Sequence, residues 1–378
     1  MYRVKKSTID FVRDFDYISF SLVLLVASFG LVVLHSATRV VPSNLNGNGL
    51  FVKQVIALLM GITLCLIISA VDYQSIKNLS WVFYTGCVLL LVGVLFWGTG
   101  KTQVGTNGWF NFKGVSFQPA EISKLSFVAF IAKFFEKIKE KDNRYKNIVK
   151  LILYAAIPII LVLAQPDAGS AMVFMFMFAV MVYICEVPYK YIFLAIGSFL
   201  ASMPVVWLFL LQPHQKDRIM SFISPEKYSK TISFQVSQST MTIGAGQLTG
   251  SGLYNGIQTQ SLGVPEKHTD FIFSVIGEEF GFIGCGVVIV LLLAIILRCL
   301  YIAKKSKDAY GSFLVIGITS MFFFHIAENI GMNIRLLPVT GIPLPFISYG
   351  GSSLITNFIA IGVILSVSAG NKRKGLFA

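Results

Sequence analysis

Within "SLGVPEKHTDFIFSVIGEEFGFIG", residues 261–284, the ionisable residues Glu266, Lys267, His268 and Asp270 are crowded against the start of a long apolar run. A carboxylate in Asp270's place can cap a helix or act as its first-turn acid, a role worth roughly 1 kcal/mol. Thr269 could cap the same helix equally well. The other chemistry open to Asp270 is general base catalysis, the removal of a proton from an attacking hydroxyl. Glu278 and Glu279 follow about 12 Å further along at 1.5 Å per helical residue. An acid at the centre of a membrane costs about 2.5–3.5 kcal/mol on insertion scales, so such groups face a cavity or a polar partner. Both glutamates are therefore candidates for function, with buried polar packing as the rival reading.

A second cluster is "SFQPAEISKLSF". Pro119 suits the first position of a helix and Glu121 suits its first turn. Lys124 does not, because a cation there opposes the helix macrodipole. Three residues apart, Glu121 and Lys124 share a face. They read as a buried ion pair or as a lysine that meets an anionic ligand. A third stretch, "NIRLLPVTGIPLPFISYGGSSL", holds Pro338, Pro343 and Pro345 with Gly341, Gly350 and Gly351, and cannot form a regular helix. Non-helical backbone at membrane depth is confined to cavities or to protein interior, so this segment is expected to be a re-entrant wall. His325, Glu328 and Asn329 share a helical face just before it. With no further ligands to complete a metal site, they read as a polar network between helices.

The elements that must position these groups are set by composition. Hydrophobic residues make up 55% of the 378 and charged residues only 13%, where soluble domains have about 25% charged. About 20 apolar residues cross a bilayer as a helix. The pattern predicts an all-α, polytopic membrane protein, a single domain over 1–378, with ten spans: 18–38, 52–71, 79–97, 119–135, 149–164, 169–185, 190–211, 271–297, 311–330 and 351–369. The fifth and sixth are short and joined by "AQPDAG". Most of the 31 Lys and Arg residues fall on one side, among them Arg3, Lys5, Lys6, Lys137, Lys139, Lys141, Arg298, Lys304, Lys372 and Arg373. By the positive-inside rule both termini are cytoplasmic. A basic inner face beside anionic lipid accounts for the net charge of +13 without nucleic acid. Asp10, Asp14 and Asp16 and the length of the first apolar run mark a retained anchor rather than a cleaved signal. The five cysteines show no C-x-x-C spacing and read as apolar packing.

Three segments then lie outside: 98–118, 212–270 and 331–350. The middle one is too long to be structureless inside a compact protein. Its scattered apolar residues predict that it folds onto the membrane surface. Its amides, hydroxyls and glycines suit sugar hydroxyls, or simply a solvated loop.

"FQPAEISKL", "QPDAGSAMVF", "PEKHTDFIFSVIGEEFGFIG" and "LLPVTGIPLPFISYGGSS" resemble, in order, the motifs of the RodA/FtsW (SEDS) family, and the RodA branch more than FtsW. The resemblance implies a peptidoglycan glycosyltransferase at the outer face of the bacterial plasma membrane, serving elongation and shape. Its substrate would be lipid II, a disaccharide-pentapeptide on undecaprenyl pyrophosphate, and its partner a class B penicillin-binding protein. The family's essential acid matches Asp270; its span-four pair matches Glu121 and Lys124; an arginine at the outer end of the seventh span matches Arg218. On this reading Asp270 is the catalytic base in an inverting displacement. Lys124 and Arg218 stabilise the leaving pyrophosphate, Glu121 holds Lys124, and Glu278 contributes to substrate binding. No cofactor is evident, although a divalent cation could share the charge. The rival readings are a lipid II flippase and a non-catalytic scaffold for the penicillin-binding protein. Two positions depart from the family pattern. Asn107 and Gly108 stand where a basic residue usually precedes the tryptophan matched by Trp109, and Arg335 stands where a small residue is usual.

Overall fold

The computed structural model describes residues 13–41, 46–99, 108–112, 115–140, 144–186, 213–228, 232–261 and 263–372, with positions 197 and 204. The chain begins with three long helices, α1 (Tyr17–Arg39), α2 (Gly47–Ala70) and α3 (Tyr73–Trp97). A short antiparallel hairpin follows, β1 (Phe110–Phe112) and β2 (Val115–Phe117), with Phe110 opposite Phe117. Then come α4 (Pro119–Lys139), α5 (Arg144–Ala164) and α6 (Ala168–Ile184). The long segment between α6 and the next membrane-length helix contains α7 (Pro213–Ile223), a single 3-10 turn, and α8 (Ile232–Ala245). The chain closes with α9 (Ile272–Lys304), α10 (Ala309–Asn333) and α11 (Gly351–Lys372). The seventh expected span, 190–211, lies outside the described residues apart from positions 197 and 204. Each of the other expected spans coincides with a described helix.

Local chemistry sets the helix starts. Asp16, Asp72, Asp167 and Asp308 each accept a hydrogen bond from a backbone N–H in the first turn that follows, as N-caps do. Pro119 occupies the opening position of α4, where its missing N–H costs nothing.

Seven of these helices are long and apolar enough to cross a membrane. In α10 and α11, 72% and 78% of the spanning window is buried, against 28% in α2 and in α3. The first pair therefore forms the centre of the bundle, with the mostly buried α4 beside it. α2 and α3 turn Leu59, Met60, Leu89 and Phe96 outward, which in a membrane is the lipid face. This is an integral membrane protein. All five cysteines are buried and none forms a disulfide.

α9 is broken at Gly281, whose backbone adopts φ 66°, ψ −164°. The loop after α8 enters the break. Ser251 and Gly252 donate their N–H groups to the carbonyls of Glu278 and Glu279 at 2.9 and 3.0 Å, and Phe282 and Ile283 donate to Gln247 and Leu248 at 2.8 and 3.1 Å. The groups freed by the break are thus paired again, which a membrane environment requires. The segment from Phe282 to Lys304 is about 35 Å long, enough by itself to cross a hydrocarbon core of about 30 Å. Glu278 and Glu279 lie just before that segment, where the 251–252 loop pairs with their carbonyls.

Candidate functional site

The 213–270 segment and the irregular 334–350 stretch meet at Asp270. Three consecutive carbonyls of the 268–270 turn are held by other parts of the fold. The His268 carbonyl accepts from Tyr349 N–H at 2.9 Å, and Thr269's from the Ser348 hydroxyl at 2.7 Å. Asp270's accepts from the side-chain amides of Asn329 and Asn333 at 2.9 and 3.0 Å. Asn329 also donates to the Ile342 carbonyl, so one residue of α10 ties Asp270 to the proline-rich wall. Ser348 in turn holds Leu344 N–H at 2.9 Å, and Gln54 of α2 brackets the wall by bonding both Ser348 and Gly350.

The carboxylate of Asp270 is handled differently. Phe271, not Asp270 or Thr269, is the N-cap of α9, and it makes no side-chain cap bond. The capping role open to Asp270 from the sequence is therefore not the one it plays. The side chain is half-buried. Loss of water pushes its pKa up to about 6; Glu266 nearby pushes the same way, while Arg218 and a hydrogen bond from Thr269 act against it. Gly341 separates the acid from the arginine: a β-carbon there would lie 3.4 Å from Asp270 Oδ2 and 4.0 Å from Arg218 Nη1. Gly341 has φ 79°, a conformation glycine adopts without strain. Arg218, on α7, donates from Nη1 to the Thr340 carbonyl at 3.1 Å. Thr340 in turn donates its hydroxyl to Glu328 at 2.9 Å.

Glu121 and Lys124 form the ion pair their spacing allows, at 2.8 Å, with both side chains buried. Lys124 also reaches His325 Nε2 at 3.1 Å. An ammonium has only protons to give, so Nε2 accepts and the imidazole proton sits on Nδ1. That Nδ1 and Glu121 Oε2 are buried and make no hydrogen bond among the described residues. His325, Asn329 and Asn333 recur every fourth residue along one face of α10. The lysine therefore lies about 6 Å along the helix from the amide that holds Asp270. Lys124 is 1% exposed and offers no surface to a ligand in this structure.

Glu278 is saturated by protein. Its two oxygens accept from Gln258 N–H at 2.8 Å, Thr259 N–H at 2.7 Å and the Thr259 hydroxyl at 2.6 Å. Glu279 accepts from Ser36 of α1 and from Gln260. Lys267 closes the same loop by donating to the carbonyls of Thr259 and Ser261. Burial pushes its ammonium down to about 8, against the pull of Glu278 and Glu279.

Of the residues singled out in the sequence, the fold gathers Asp270, Arg218 and the Gly341 turn at one point. It sets Glu121, Lys124 and His325 one turn below. It puts Glu278 apart, in the latch of the 256–261 loop. Asn333, Ser348 and Gly341 were not singled out as partners of Asp270. For Asn333 a signal existed, its four-residue spacing from Asn329. Asn107, where the family pattern has a basic residue, lies outside the described residues. The neighbouring Trp109 pairs with Thr99 as an isolated bridge.

The FtsW/RodA/SpoVE family, described as "Cell cycle protein", matches residues 17–373. The chain belongs to that family. Among its relatives, a probable peptidoglycan glycosyltransferase FtsW of Trichlorobacter lovleyi is 33% identical, with 96% of this chain and 95% of the relative covered. Peptidoglycan glycosyltransferase MrdB of Escherichia coli is 29% identical, with 90% and 91% covered. Stage V sporulation protein E of Bacillus subtilis is 35% identical, with 93% and 96% covered. Among solved structures, the rod shape determining protein RodA of Thermus thermophilus superposes with a TM-score of 0.69 at 26% identity, over 94% of this chain and 96% of that one. A chain from a peptidoglycan synthase complex that coordinates polymerization and crosslinking reaches 0.79 at 27% identity, over 94% and 98%. FtsW, MrdB, RodA and stage V sporulation protein E all fall between 26% and 35% identity, so membership rests at the level of the FtsW/RodA/SpoVE family rather than of its RodA branch.

Proposed function

We propose that this chain is a peptidoglycan glycosyltransferase that polymerises lipid II at the outer face of the plasma membrane, with Asp270 as general base. The observation that carries the reading is the contrast at Asp270: four protein donors fix the backbone of residues 268–270, while the carboxylate is excused from capping and set beside Arg218. A rigid backbone under a carboxylate of raised pKa is what proton abstraction near neutral pH requires.

The acceptor hydroxyl loses its proton to Asp270 as its oxygen attacks the anomeric carbon of the donor sugar. The bond from that carbon to the diphosphate breaks with inversion, and the electron pair leaves on the diphosphate. Arg218 is the cation placed to receive that charge. Lys124, enclosed by Glu121 and His325, is assigned to the electrostatics and packing beneath the site rather than to substrate contact. Glu278 is assigned to shaping the loop, in place of the substrate contact expected from the sequence. Among the described residues no group of three or more His, Cys, Asp or Glu is gathered for a metal ion. A divalent cation arriving with the diphosphate is compatible with the same geometry.

The motif resemblance favours a role in cell elongation. The likeness to a chain of a peptidoglycan synthase complex favours a partnership with a class B penicillin-binding protein. The test is purified protein incubated in detergent with labelled lipid II, where no membrane exists to flip across. Glycan polymer is the expected product. No polymer with or without a penicillin-binding protein would leave the flippase and scaffold readings.

A further inference from the structure

Glu328 is a buried carboxylate, 5% exposed, that takes no part in the displacement described above. Among the described residues it forms no ion pair, and its side chain has one hydrogen-bond partner, the Thr340 hydroxyl at 2.9 Å. A charged acceptor makes roughly twice as strong a hydrogen bond as a neutral one, so Thr340 is held firmly. The carbonyl of the same threonine accepts from Arg218 Nη1 at 3.1 Å, the one hydrogen bond on that guanidinium among the described residues. The next residue of α10, Asn329, holds the far side of the turn by donating to the Ile342 carbonyl, and it donates to the Asp270 carbonyl as well, both at 2.9 Å. Between the two gripped residues lies Gly341, the gap across which Arg218 and Asp270 face each other. Gly169 of α6 gives this turn its room: a β-carbon there would lie 3.1 Å from the Thr340 carbonyl oxygen and 3.3 Å from Ile342 Cγ1. The backbone of α7 is moored separately, by Gln215 Nε2 donating to the Pro166 carbonyl at 3.0 Å.

We propose that Glu328 is a positioning residue of the reaction: through the Thr340 hydroxyl it fixes the carbonyl that orients Arg218, and together with Asn329 it sets the spacing of Arg218 and Asp270 across Gly341. The inference rests on the glycosyltransferase reading of that pair. Glu328 touches neither the acid nor the arginine. It acts on a five-atom stretch of backbone, where a small rotation of the Thr340 peptide would swing the guanidinium away from the acid. A displacement of about 1 Å at a reacting group can cost on the order of a hundredfold in rate, which is the scale on which such a clamp matters.

The experiment has two readouts on the full chain in detergent. The first is turnover of labelled lipid II. Thr340→Val keeps the shape of the side chain and removes its hydroxyl. Its kcat should fall about tenfold or more while KM changes far less, because Arg218 meets charge that develops only as the bond breaks. Glu328→Ala should behave alike. Thr340→Ser keeps the donor and Glu328→Gln keeps an acceptor, so each should retain most of the parental rate. The second readout needs no turnover. Dicyclohexylcarbodiimide attacks a protonated carboxyl, and peptide mass spectrometry across a pH series gives the midpoint for Asp270. The parent should titrate near 6. In Thr340→Val the midpoint should rise by about half a unit or more, because the cation that opposes protonation is loosened while Glu266, which favours it, is untouched. Thr340→Ser should stay with the parent. An unmoved midpoint in Thr340→Val would overturn the proposal whatever the rate, since a merely structural role lowers activity and melting temperature together and leaves the acid's titration alone. Glu328→Gln as inactive as Glu328→Ala would overturn it too, by making the charge matter rather than the bond to Thr340. A parent that makes glycan without the midpoint shift defeats this inference alone. A parent that shows the shift but makes no glycan defeats the proposed function alone.

Discussion

Asp270 and Glu278 belong to one stretch of sequence and carry the same charge, yet the fold bonds opposite parts of each. At Glu278 it bonds the carboxylate, with two N–H groups and a hydroxyl closing on its oxygens. At Asp270 it bonds the backbone and leaves the carboxylate beside Arg218, with its pKa pushed up to about 6. A carboxylate whose oxygens are taken up by protein donors is committed to holding those donors. One that is partly desolvated and sparingly bonded is a stronger base, and its readiness is maintained by rigidity elsewhere. Position in a motif therefore does not distinguish a catalytic acid from a structural one. The distribution of donors does.

The comparison breaks most sharply at Asp270→Asn. Polymerisation of lipid II should fall by a factor on the order of 10²–10⁴, the usual contribution of a positioned base. Thermal stability should be unchanged or slightly higher at neutral pH. The sign follows from the raised pKa: a buried carboxylate is destabilised once ionised, a penalty absent below the unfolded pKa near 3.8 and full above about 6. A well-folded variant that still makes long glycan strands would end the assignment.

Lys124→Ala tests the buried pair. Removing the lysine strands Glu121 without its partner, which costs about 3–5 kcal/mol in buried pairs. Activity and melting temperature should fall together. Full activity would show that the cation plays no part beneath the site. Activity lost at parental stability would show that Lys124 reaches the substrate in a state other than this one.

Glu278→Ala should cost about 2–4 kcal/mol, because two N–H groups and a hydroxyl lose a charged acceptor. Its signature is faster proteolysis in the 256–261 loop, with catalysis per folded molecule reduced far less than in Asp270→Asn. The reverse pattern would exchange the roles assigned to the two acids.

The smallest effect is the pH profile. With Asp270 as base, kcat/KM should drop about tenfold for each unit below a midpoint near 6 and level off above it. A profile flat from pH 5 to 8 would point to another base.

Much of this was legible before any coordinates. Seven of the spans were readable because burial in lipid is decided by the length of an apolar run, a property of neighbouring residues. The Glu121–Lys124 pair was readable because three residues bring two side chains onto one face of a helix. The irregular wall at 334–350 was readable because proline and glycine act on their own backbone. Arg218 and Thr340 became neighbours only through the packing of α7 against the irregular wall, across 122 residues of chain, which no local pattern encodes. The break in α9 was not legible, because Gly281 looks like any helical glycine in the sequence. Its break is possible only because the 246–252 loop arrives to pair with it: a β-carbon at Gly281 would meet Gly250 N at 2.4 Å and Leu248 O at 2.6 Å. Asp270 showed its residue type in the sequence, but whether it would cap a helix or stand free beside an arginine was decided in three dimensions. The four donors that clamp its backbone come from α10 and from the wall before α11, brought together by burial of the bundle's centre.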